Sequence, residues 1–392
     1  MLNGEKKIAR PLRWAMVGGG RLSQVGYKHR GGALRDNTAY QLVAGAFDID
    51  APRGRDFGVN IGVDASRCYD SYPEMFAAEA KRADGIEVVT IATPNGTHYE
   101  ITKAALNAGL HVICEKPLFF TSAEVKEVKQ LAEEKGLIVG VTYGYSGHQM
   151  LLQMRKMIAQ RDIGDVRMVE MQYTHGFSAN DSADKFSDAQ KWRVDPKIAG
   201  PSFVLGDLST HTFYISQLVL PELKLQSLLC DRQSFISSRA PLEDNAMVLM
   251  HYHGGAVGRL WTSAINAGSM NSQFIRVVGS KASLQWGDYQ PNELVYEVQG
   301  QPNQVMHHGM PYLDESALAD DRLGALHTEG LIESWSNIYL KFAVAIDAKQ
   351  RGDEAALAEM VYPGIDAGLD GVRWVENCVR SADSGAVWVN FE

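Results

Sequence analysis

The stretch that decides the fold is WAMVGGGRLS, residues Trp14–Ser23, in which a short apolar run enters a glycine-rich turn. Its glycines have G-x-G spacing, and a serine occupies the position at which a third glycine is usual. In a strand–turn–helix unit, such glycines permit a tight turn and a close approach to a pyrophosphate, which the helix N-terminus then binds. The pattern predicts a dinucleotide-binding turn, although other α/β proteins contain similar glycine turns. Its predicted cofactor-binding members are Gly18, Gly20, Arg21, Leu22 and Ser23.

A second apolar run, residues 41–47, is followed by Asp48. An acid at the end of the second strand can accept hydrogen bonds from both hydroxyls of an adenosine ribose. The same carboxylate repels a 2′-phosphate, so Asp48 predicts NAD in preference to NADP. Arg53 and Arg55 follow closely and are the residues that could favour NADP instead. The alternative is that Asp48 is an ordinary turn carboxylate.

The composition indicates a globular protein of about two domains, because 392 residues exceed the usual length of one domain. Hydrophobic residues make up 45% and charged residues 22%, which is ordinary for such proteins. The formal charge of −9 argues against non-specific binding to nucleic acids or anionic membranes. The sequence shows no apolar run of bilayer length and no secretory signal, and its four cysteines are scattered. We therefore expect a cytoplasmic protein with no membrane partner.

Strand and helix patterns alternate through the first 143 residues. The expected strands are 12–17, 41–47, 86–92, 111–114 and 137–143. The expected helices are 21–36, 71–83, 98–108 and 121–135, with turns over 50–72. This alternation predicts a doubly wound parallel sheet of the Rossmann type, in which the strand C-termini line one crevice. Thr93, Asn95, Glu115 and Lys116 follow two of these strands and are expected at that edge.

The alternation of strand and helix patterns ends after Tyr145, and several strand-like segments then follow one another. A helix at 150–160 is followed by strands at 166–173, 223–230, 245–252, 256–264, 272–279, 282–286 and 292–298. Then come a long loop at 302–330, helices at 333–349 and 362–381, and a closing strand at 387–391. This order predicts a C-terminal α+β domain with a large open mixed sheet. We expect a Rossmann domain over 1–146 and a substrate-binding and oligomerisation domain over 147–392.

Two sets of residues are candidates for catalysis. Lys116 stands at the end of a buried strand, directly before a proline that restricts its direction, and could stabilise an alkoxide. Asp207 and His211 are four residues apart, so they share a face if the segment is helical as far as Pro221. A carboxylate beside an imidazole suits a base that works near neutral pH. The alternatives are a surface lysine, a capping aspartate and a structural histidine.

Other polar motifs are less specific. Trp192 and Arg193 place an aromatic ring beside a cation, which suits a polyhydroxylated ring, although a loop held by surface ion pairs is the alternative. His251 and His253 alternate along a strand without a third or fourth ligand. The pair His307–His308 lies in a polar loop. The sequence therefore predicts no metal site.

Together these motifs resemble the Gfo/Idh/MocA family of glucose–fructose oxidoreductase-like and inositol dehydrogenase-like enzymes. The matching motifs occur in the family's order and are VGGG at 17–20, ATPN at 92–95 with His98, EKP at 115–117, Trp192–Arg193 with Ala199–Gly200, and Asp207 with His211. The resemblance implies a tightly held NAD(P), a sugar or cyclitol substrate, and a homodimer or homotetramer. It also implies Lys116, Asp207 and His211 as the catalytic set, and Thr93, Asn95, His98, Glu115 and Lys116 at the cofactor.

The chain departs from the family pattern at three places. Ser23 replaces the last glycine of the turn, and Ser209 stands where glycine is common. After the strand at 137–143, many relatives have an arginine that meets the substrate, and this chain has none there. Tyr145 and His148 could fill that role. With Trp192 and Arg193 they are the predicted substrate contacts.

The resulting prediction is an NAD-dependent dehydrogenase of a sugar, a sugar derivative or an inositol. His211, held by Asp207, takes the proton of a secondary ring hydroxyl, and Lys116 hydrogen-bonds the same oxygen. The sequence does not decide whether Lys116 or His211 is the base. One alternative is a glycosidase that uses NAD for transient ring oxidation and elimination. Another is a non-catalytic cofactor-sensing regulator, which would need none of the three residues.

Overall fold

The structure, a computed structural model, describes residues 4–180 and 191–391. The chain divides into two compact units. The N-terminal unit contains residues 4–143 and 335–370, and the C-terminal unit contains residues 144–334 and 371–391. The first division lies three positions before the boundary expected after residue 146. Residues 335–370 belong with the N-terminal residues.

A parallel five-stranded sheet forms the centre of the N-terminal unit, in the order β2-β1-β3-β4-β5. Its strands are β1 Leu12–Gly18, β2 Tyr40–Ala46, β3 Val88–Ala92, β4 His111–Cys114 and β5 Val139–Val141. Gly18 is in register with Ala92, and Cys114 with both Ile91 and Val141. The strand C-termini therefore meet at one edge, and the Rossmann prediction is confirmed.

Five helices connect these strands. They are α1 Gly26–Leu34, α2 Ala51–Asn60, α3 Tyr72–Glu79, α4 His98–Asn107 and α5 Ser122–Lys135. The start of α5 follows from sequence, because Thr121 and Glu124 form a capping box, and Gly136 ends the helix in the left-handed conformation. Helix α2 was missed, since turns were expected over residues 50–72. Two glycines weaken its helical pattern, but Asp50 accepts the N–H of Arg53 and a proline fits its first turn.

A nine-stranded mixed sheet forms the C-terminal unit, in the order β13-β12-β11-β10-β6-β9-β8-β7-β14. Its strands are β6 Val166–Thr174, β7 Leu225–Gln233, β8 Asn245–Tyr252, β9 Val257–Ser263, β10 Ser272–Gly279, β11 Ala282–Gly287, β12 Glu293–Val298, β13 Gln304–His307 and β14 Val389–Asn390. Among these described strands only the β6–β9 pair is parallel. The large mixed sheet is therefore confirmed.

The other α-helices of residues 4–180 and 191–391 belong to both units. They are α6 Gln149–Ala159, α7 Pro196–Ala199, α8 Thr210–Val219, α9 Glu315–Leu318, α10 Leu331–Arg351, α11 Glu354–Glu359 and α12 Ile365–Asp383. The long loop expected at 302–330 is wrong in part, because it contains β13 and α9. The apolar residues of β13 are too few to show alternation, so pairing with β12 decides its structure. The closing strand expected at 387–391 is present as β14, which lies at the edge of the sheet and pairs with β7.

The apolar face of the C-terminal sheet is buried mainly by α6 and α8. Met150 and Met154 of α6 and Phe213 of α8 join the inward residues of the strands in one core cluster. This cluster holds α8, whose first turn contains the predicted catalytic residue His211. No helix among the described residues is long and apolar enough to cross a membrane.

Candidate active site

Two glycines allow the strand ends of the N-terminal unit to approach one another. Gly18 has a φ of +74°, and a Cβ there would lie 2.5 Å from the main-chain oxygen of Ala92. A Cβ on Gly20 would lie 2.5 Å from the main-chain oxygen of Phe47. Neither position can hold a side chain without displacing main chain. The turn is therefore the bare backbone cradle that a pyrophosphate requires.

The helix that follows the turn begins later than expected, at Gly26 rather than residue 21. Ser23 does not take the place of the third glycine. Its Oγ accepts the N–H groups of Val25, at 3.3 Å, and Gly26, at 3.0 Å. Gly26 makes the close helix–strand contact, because a Cβ there would lie 2.0 Å from the oxygen of Gly19. Gly26 is therefore the third glycine of the turn. The turn at Ser23 lengthens the spacing between Gly20 and Gly26, so the usual G-x-G-x-x-G spacing does not find it.

The two other predicted members of this turn are exposed. Leu22 is 55% exposed. The guanidinium of Arg21 donates to Asp56 at 2.6 Å, and both side chains are about half exposed. Arg30 of α1 reaches back to donate to the oxygen of Gly19 at 2.7 Å. Main-chain groups and Arg30 thus shape the turn, and a cofactor contact of Arg21 or Leu22 stays a prediction.

Asp48 lies just beyond β2, as predicted, and is paired with an arginine. Arg53 donates from Nε to Oδ2 at 2.7 Å and from Nη2 to Oδ1 at 2.6 Å. The hydrogen bond from Arg53 is the main cause that lowers the pKa of Asp48. Asp48 is therefore an ionised acceptor where a ribose diol binds in such folds. A bound ribose would have to share this carboxylate with Arg53.

His98 connects the turns that follow β3 and β4. Its ring is fully buried, with Nε2 2.9 Å from the oxygen of Thr93 and Nδ1 3.0 Å from the oxygen of Pro117. Burial lowers its pKa. Thr93 itself accepts a hydrogen bond from Thr97 at 2.7 Å, and Asn95 begins the short helical turn between them. The geometry of His98 favours a positioning role in place of the predicted cofactor contact.

Glu115 is a buried carboxylate directly before Lys116. It is 7% exposed and accepts the hydroxyl of Thr142 at 2.6 Å and the N–H of Lys116 at 3.3 Å. Nε2 of His29 lies 3.1 Å from its Oε1. Burial acts to raise the pKa of Glu115, but the hydrogen bond and charge of His29 outweigh it and lower the pKa to about 2. The backbone that carries Lys116 is thus held by an ionised, fully paired group.

The other side of His29 extends this network through the N-terminal unit. Its Nδ1 lies 2.7 Å from the hydroxyl of Tyr339, which is 3.0 Å from the hydroxyl of Thr90. The indole of Trp14 donates to Thr90 at 2.9 Å. Sequence reasoning missed these partners, because His29 and Tyr339 are 310 positions apart. The network connects Glu115 with strands β1 and β3 through His29 and Tyr339.

In the C-terminal unit, Asp207 and His211 lie on one continuous helical segment. The segment begins as a π-helical turn, Leu205–Ser209, and continues as α8, which ends before Pro221. Asp207 lies in the wide turn and His211 in the first turn of α8. A π-helical turn contains more residues than an α-helical turn. The four-residue spacing of Asp207 and His211 therefore does not by itself place them on the same face.

Two hydrogen bonds explain why serine replaces glycine in this segment. Ser209 donates to the oxygen of Leu205 at 2.6 Å and accepts the indole N–H of Trp374 at 2.7 Å.

Glu243 also holds the beginning of this segment. Its carboxylate accepts the N–H groups of Phe203 and Leu205, each at 3.0 Å. Burial raises the pKa of Glu243 to about 7. The start of the segment that carries Asp207 and His211 is therefore fixed by side chains from outside it.

Arg193 lies between Asp207 and the ring of Trp192. Nε of Arg193 lies 3.5 Å from Oδ2 of Asp207, and its guanidinium carbon lies 4.5 Å from the centre of the Trp192 ring. The structure thus brings together two predicted substrate contacts and one predicted catalytic residue. The carboxylate has a cationic neighbour and is about one-quarter exposed.

His211 is 7% exposed and is surrounded by tyrosines. The ring of Tyr145 is perpendicular to it with centroids 5.0 Å apart, and the Tyr173 ring lies at 6.1 Å. The two tyrosine hydroxyls are 2.7 Å apart. Burial raises the pKa of both tyrosines, so they remain neutral hydroxyl groups at neutral pH. Tyr145 thus lies beside the predicted base, and Tyr173 is a neighbour that the sequence did not indicate.

Further polar side chains extend from Tyr145. Asn271 donates to Oδ2 of Asp288 at 2.7 Å and to the Tyr145 hydroxyl at 3.4 Å. Nε2 of His148 lies 3.9 Å from Oδ1 of Asp288. Burial raises the pKa of Asp288 and lowers that of His148 to about 4, so this histidine is neutral. These groups offer both donors and acceptors, as binding of ring hydroxyls requires.

His175 is a further residue that the sequence did not single out. Its Nδ1 is buried and has no hydrogen-bond partner among the described residues. Burial lowers its pKa, while the charge of Asp207 acts to raise it, which places the two within electrostatic reach. His175 follows β6 directly, where strand residues mask any functional pattern. His175 is therefore a buried imidazole near Asp207, with one nitrogen that no described residue pairs.

Comparison with known proteins gives matches along nearly the whole chain. Residues 12–143 match the oxidoreductase family model for an NAD-binding Rossmann fold, and residues 155–391 match the model for its C-terminal alpha/beta domain. A Bacillus subtilis protein described as an uncharacterized oxidoreductase is 73% identical over 392 residues, which is all of both chains.

Two crystal structures from Azotobacter vinelandii are also similar. An inositol dehydrogenase homolog complexed with NAD+ is 59% identical with a TM-score of 0.98 over all of both chains. The homolog complexed with NADH and myo-inositol is 58% identical with a TM-score of 0.95, over 99% of this chain and all of the other. The predicted NAD-binding Rossmann domain is thus confirmed at the level of the family. These matches show that the chain belongs to the Gfo/Idh/MocA oxidoreductase family.

Proposed function

We propose that this protein is an NAD-dependent dehydrogenase that oxidises a secondary ring hydroxyl of a cyclitol or cyclic sugar, with inositols as the first candidates. The observation that carries the proposal is the polar cluster around His211, in a chain 58% identical to a homolog complexed with NADH and myo-inositol. A ring bearing a hydroxyl on every carbon needs many donors and acceptors. Tyr145, Asn271 and Asp288 supply them beside His211.

NAD fits the N-terminal unit because Gly18, Gly20 and Gly26 leave a cradle that any Cβ would fill. In this proposal the turn and the start of α1 would hold the pyrophosphate, and Asp48 would accept the ribose hydroxyls. Bound nicotinamide would accept the hydride. Asp48 favours NAD over NADP, because a 2′-phosphate would meet an ionised carboxylate.

The proposed chemistry removes one proton and one hydride from the same carbinol. His211 takes the hydroxyl proton as the C–H hydride leaves, and the carbon becomes a carbonyl. Asp207, which pairs with Arg193, lies on the same helical segment as His211. Lys116, on the backbone fixed by Glu115, donates a hydrogen bond to the developing alkoxide oxygen. Hydroxyl donors such as Tyr145 orient the ring.

The experiment is a substrate panel that follows NADH and free sugar in the same reaction. The panel contains myo-inositol, scyllo-inositol, several aldoses and a methyl glycoside, each with NAD and separately with NADP. We expect net NADH from at least one cyclitol or sugar, and a higher kcat/KM with NAD. Release of sugar from the glycoside without NADH would favour the glycosidase, and NAD binding without turnover would favour the regulator.

A matched pair of variants shows whether the activity belongs to the proposed site. His211→Asn removes the titratable ring, and His307→Asn makes the same change at an exposed position whose side chain is 55% accessible. Only the first change should abolish NADH formation. Equal activity of both variants would contradict the site assignment while leaving the family unaffected.

A further inference from the structure

Three buried side chains of the C-terminal unit form a cluster that shares no residue with the proposed active site. A ring nitrogen of His308 and carboxylate oxygens of Asp321 and Glu329 lie within 4.8 Å of one another. The residues are 5%, 3% and 7% exposed, respectively. Ionised carboxylates are rarely buried without a partner cation, because burial removes their hydration. The sequence had indicated a structural role for His308 and no metal site.

The imidazole of His308 has unused binding capacity. Its Nδ1 is buried and has no hydrogen-bond partner among the described residues. An unsatisfied buried polar atom destabilises the folded chain, so a ligand at this position would remove that penalty. A neutral imidazole nitrogen is the commonest ligand for transition metals in proteins.

Each carboxylate uses one oxygen to hold the loop. Oε1 of Glu329 accepts the N–H groups of Arg322 at 2.6 Å and Leu323 at 2.8 Å. Oδ1 of Asp321 accepts the N–H of Gly324 at 3.0 Å. These bonds fix the positions of both carboxylates and leave Oε2 and Oδ2 for another ligand. Such second contacts are typical of carboxylates that bind metals.

The backbone that carries the cluster is fixed by Asn292, the residue before β12. Its side-chain amide donates to the oxygen of Glu329 at 2.9 Å and accepts the N–H of Glu329 at 3.1 Å. Its main-chain oxygen accepts the N–H of His308 at 2.9 Å. Gly309 has a φ of +68°, and a Cβ there would lie 2.6 Å from the nitrogen of Ala325. The two ends of the segment 308–329 are therefore held close together without any ion.

We propose that His308, Asp321 and Glu329 bind one divalent transition-metal ion, such as Zn²⁺ or Mn²⁺, with water completing its coordination. One imidazole and two carboxylates suit these ions, whereas Mg²⁺ and Ca²⁺ prefer oxygen ligands alone. The ion links the two ends of the segment 308–329 to each other and to Asp321 within it. Because Gly309 donates to Oε1 of Gln149 at 2.8 Å, the ion also stabilises the chain next to His148.

The test uses tag-free full-length protein that has been treated with a chelator and then titrated with Zn²⁺ or Mn²⁺. Bound metal per chain is measured after gel filtration, and affinity by competition with a chromogenic chelator. We expect one ion per chain with at least one of the two metals, and a rise in Tm when it binds. His308→Gln should weaken binding at least about tenfold. His307→Gln is the control, since it changes the neighbouring, exposed histidine.

A second variant keeps the test valid if His308→Gln folds poorly. Asp321→Asn retains an oxygen for the N–H of Gly324 but loses the negative charge, so it should fold and still bind metal weakly. Wild-type protein that binds neither metal at micromolar concentration would overturn the proposal, and Arg322 would then be the group that balances the carboxylates. Unchanged binding in His308→Gln and Asp321→Asn would also overturn it, because the ion would lie elsewhere.

Discussion

Replacement of Glu115 by glutamine tests the network that holds the Lys116 turn. The pKa of Glu115 is lowered from 4.5 to about 2, and each pKa unit corresponds to about 1.4 kcal/mol. Its ionised form therefore stabilises the folded N-terminal unit by up to about 3 kcal/mol at neutral pH. Glu115→Gln keeps an acceptor for Thr142 but removes the charge beside His29. We expect Tm at pH 7 to fall by about 6–12 °C.

The pH dependence distinguishes this cause from a general defect. A lowered carboxyl pKa contributes stability above pH 4.5, and that contribution is lost as the pH falls toward 2. The difference between wild type and Glu115→Gln should therefore shrink steadily over this interval. Thermal or urea unfolding at a series of pH values measures it. Glu127→Gln, which breaks an exposed pair with Lys103, is the matched control and should change little. A constant difference between wild type and Glu115→Gln at all pH values would refute the reasoning.

Three further predictions concern other parts of the chain. Gly26→Ala should weaken NAD binding, as measured by calorimetry, because its Cβ would lie 2.0 Å from the oxygen of Gly19. Unchanged affinity would contradict this prediction, since the backbone of the turn would then have moved without loss of binding. The pKa of Glu243 is raised from 4.5 to about 7. The free energy of unfolding of the wild type should therefore fall as the pH rises from 4.5 to 7, because Glu243 must ionise in a buried site. Glu243→Gln should therefore gain up to about 3 kcal/mol relative to wild type above pH 7, as urea unfolding will report. We also propose that the outer face of the C-terminal sheet joins copies of the chain, because Met247 and Leu249 are each 48% exposed on one strand. Sedimentation should show an oligomer of the 43.2 kDa chain that the double change to glutamate dissociates, and a wild-type monomer would contradict this.

Features that depend on neighbouring residues were predictable from the sequence. The apolar β-branched run before Thr93, the capping box of Thr121 and the glycines at 18 and 20 each signal a local structure. Parallel strand order then follows from alternation, because crossover connections have one hand. The placement of Asp48 and Glu115 at strand ends required no further information.

Features that depend on distant residues were not predictable. Nothing near His29 indicates that its ring lies between Glu115 and Tyr339, because only the folded chain brings those residues together. Asp288 directly follows β11, and Tyr173 lies within β6. The alternating pattern of these strands accounts for both residues without any functional role. The same holds for the π-helical turn at Asp207, since the spacing to His211 is that of an α-helix. Tertiary hydrogen bonds, such as that from Trp374 to Ser209, decide this geometry.

The central claim is that His211 removes the proton of a ring hydroxyl as NAD accepts the hydride. The most direct measurement is single-turnover reduction of bound NAD by the best substrate of the panel, with NAD affinity measured by calorimetry on the same samples. We predict that His211→Asn binds NAD as wild type does but reduces it about 10²–10⁴-fold more slowly at neutral pH. Reduction by His211→Asn at the wild-type rate throughout the neutral range would contradict the account and make Lys116 the leading candidate for the base.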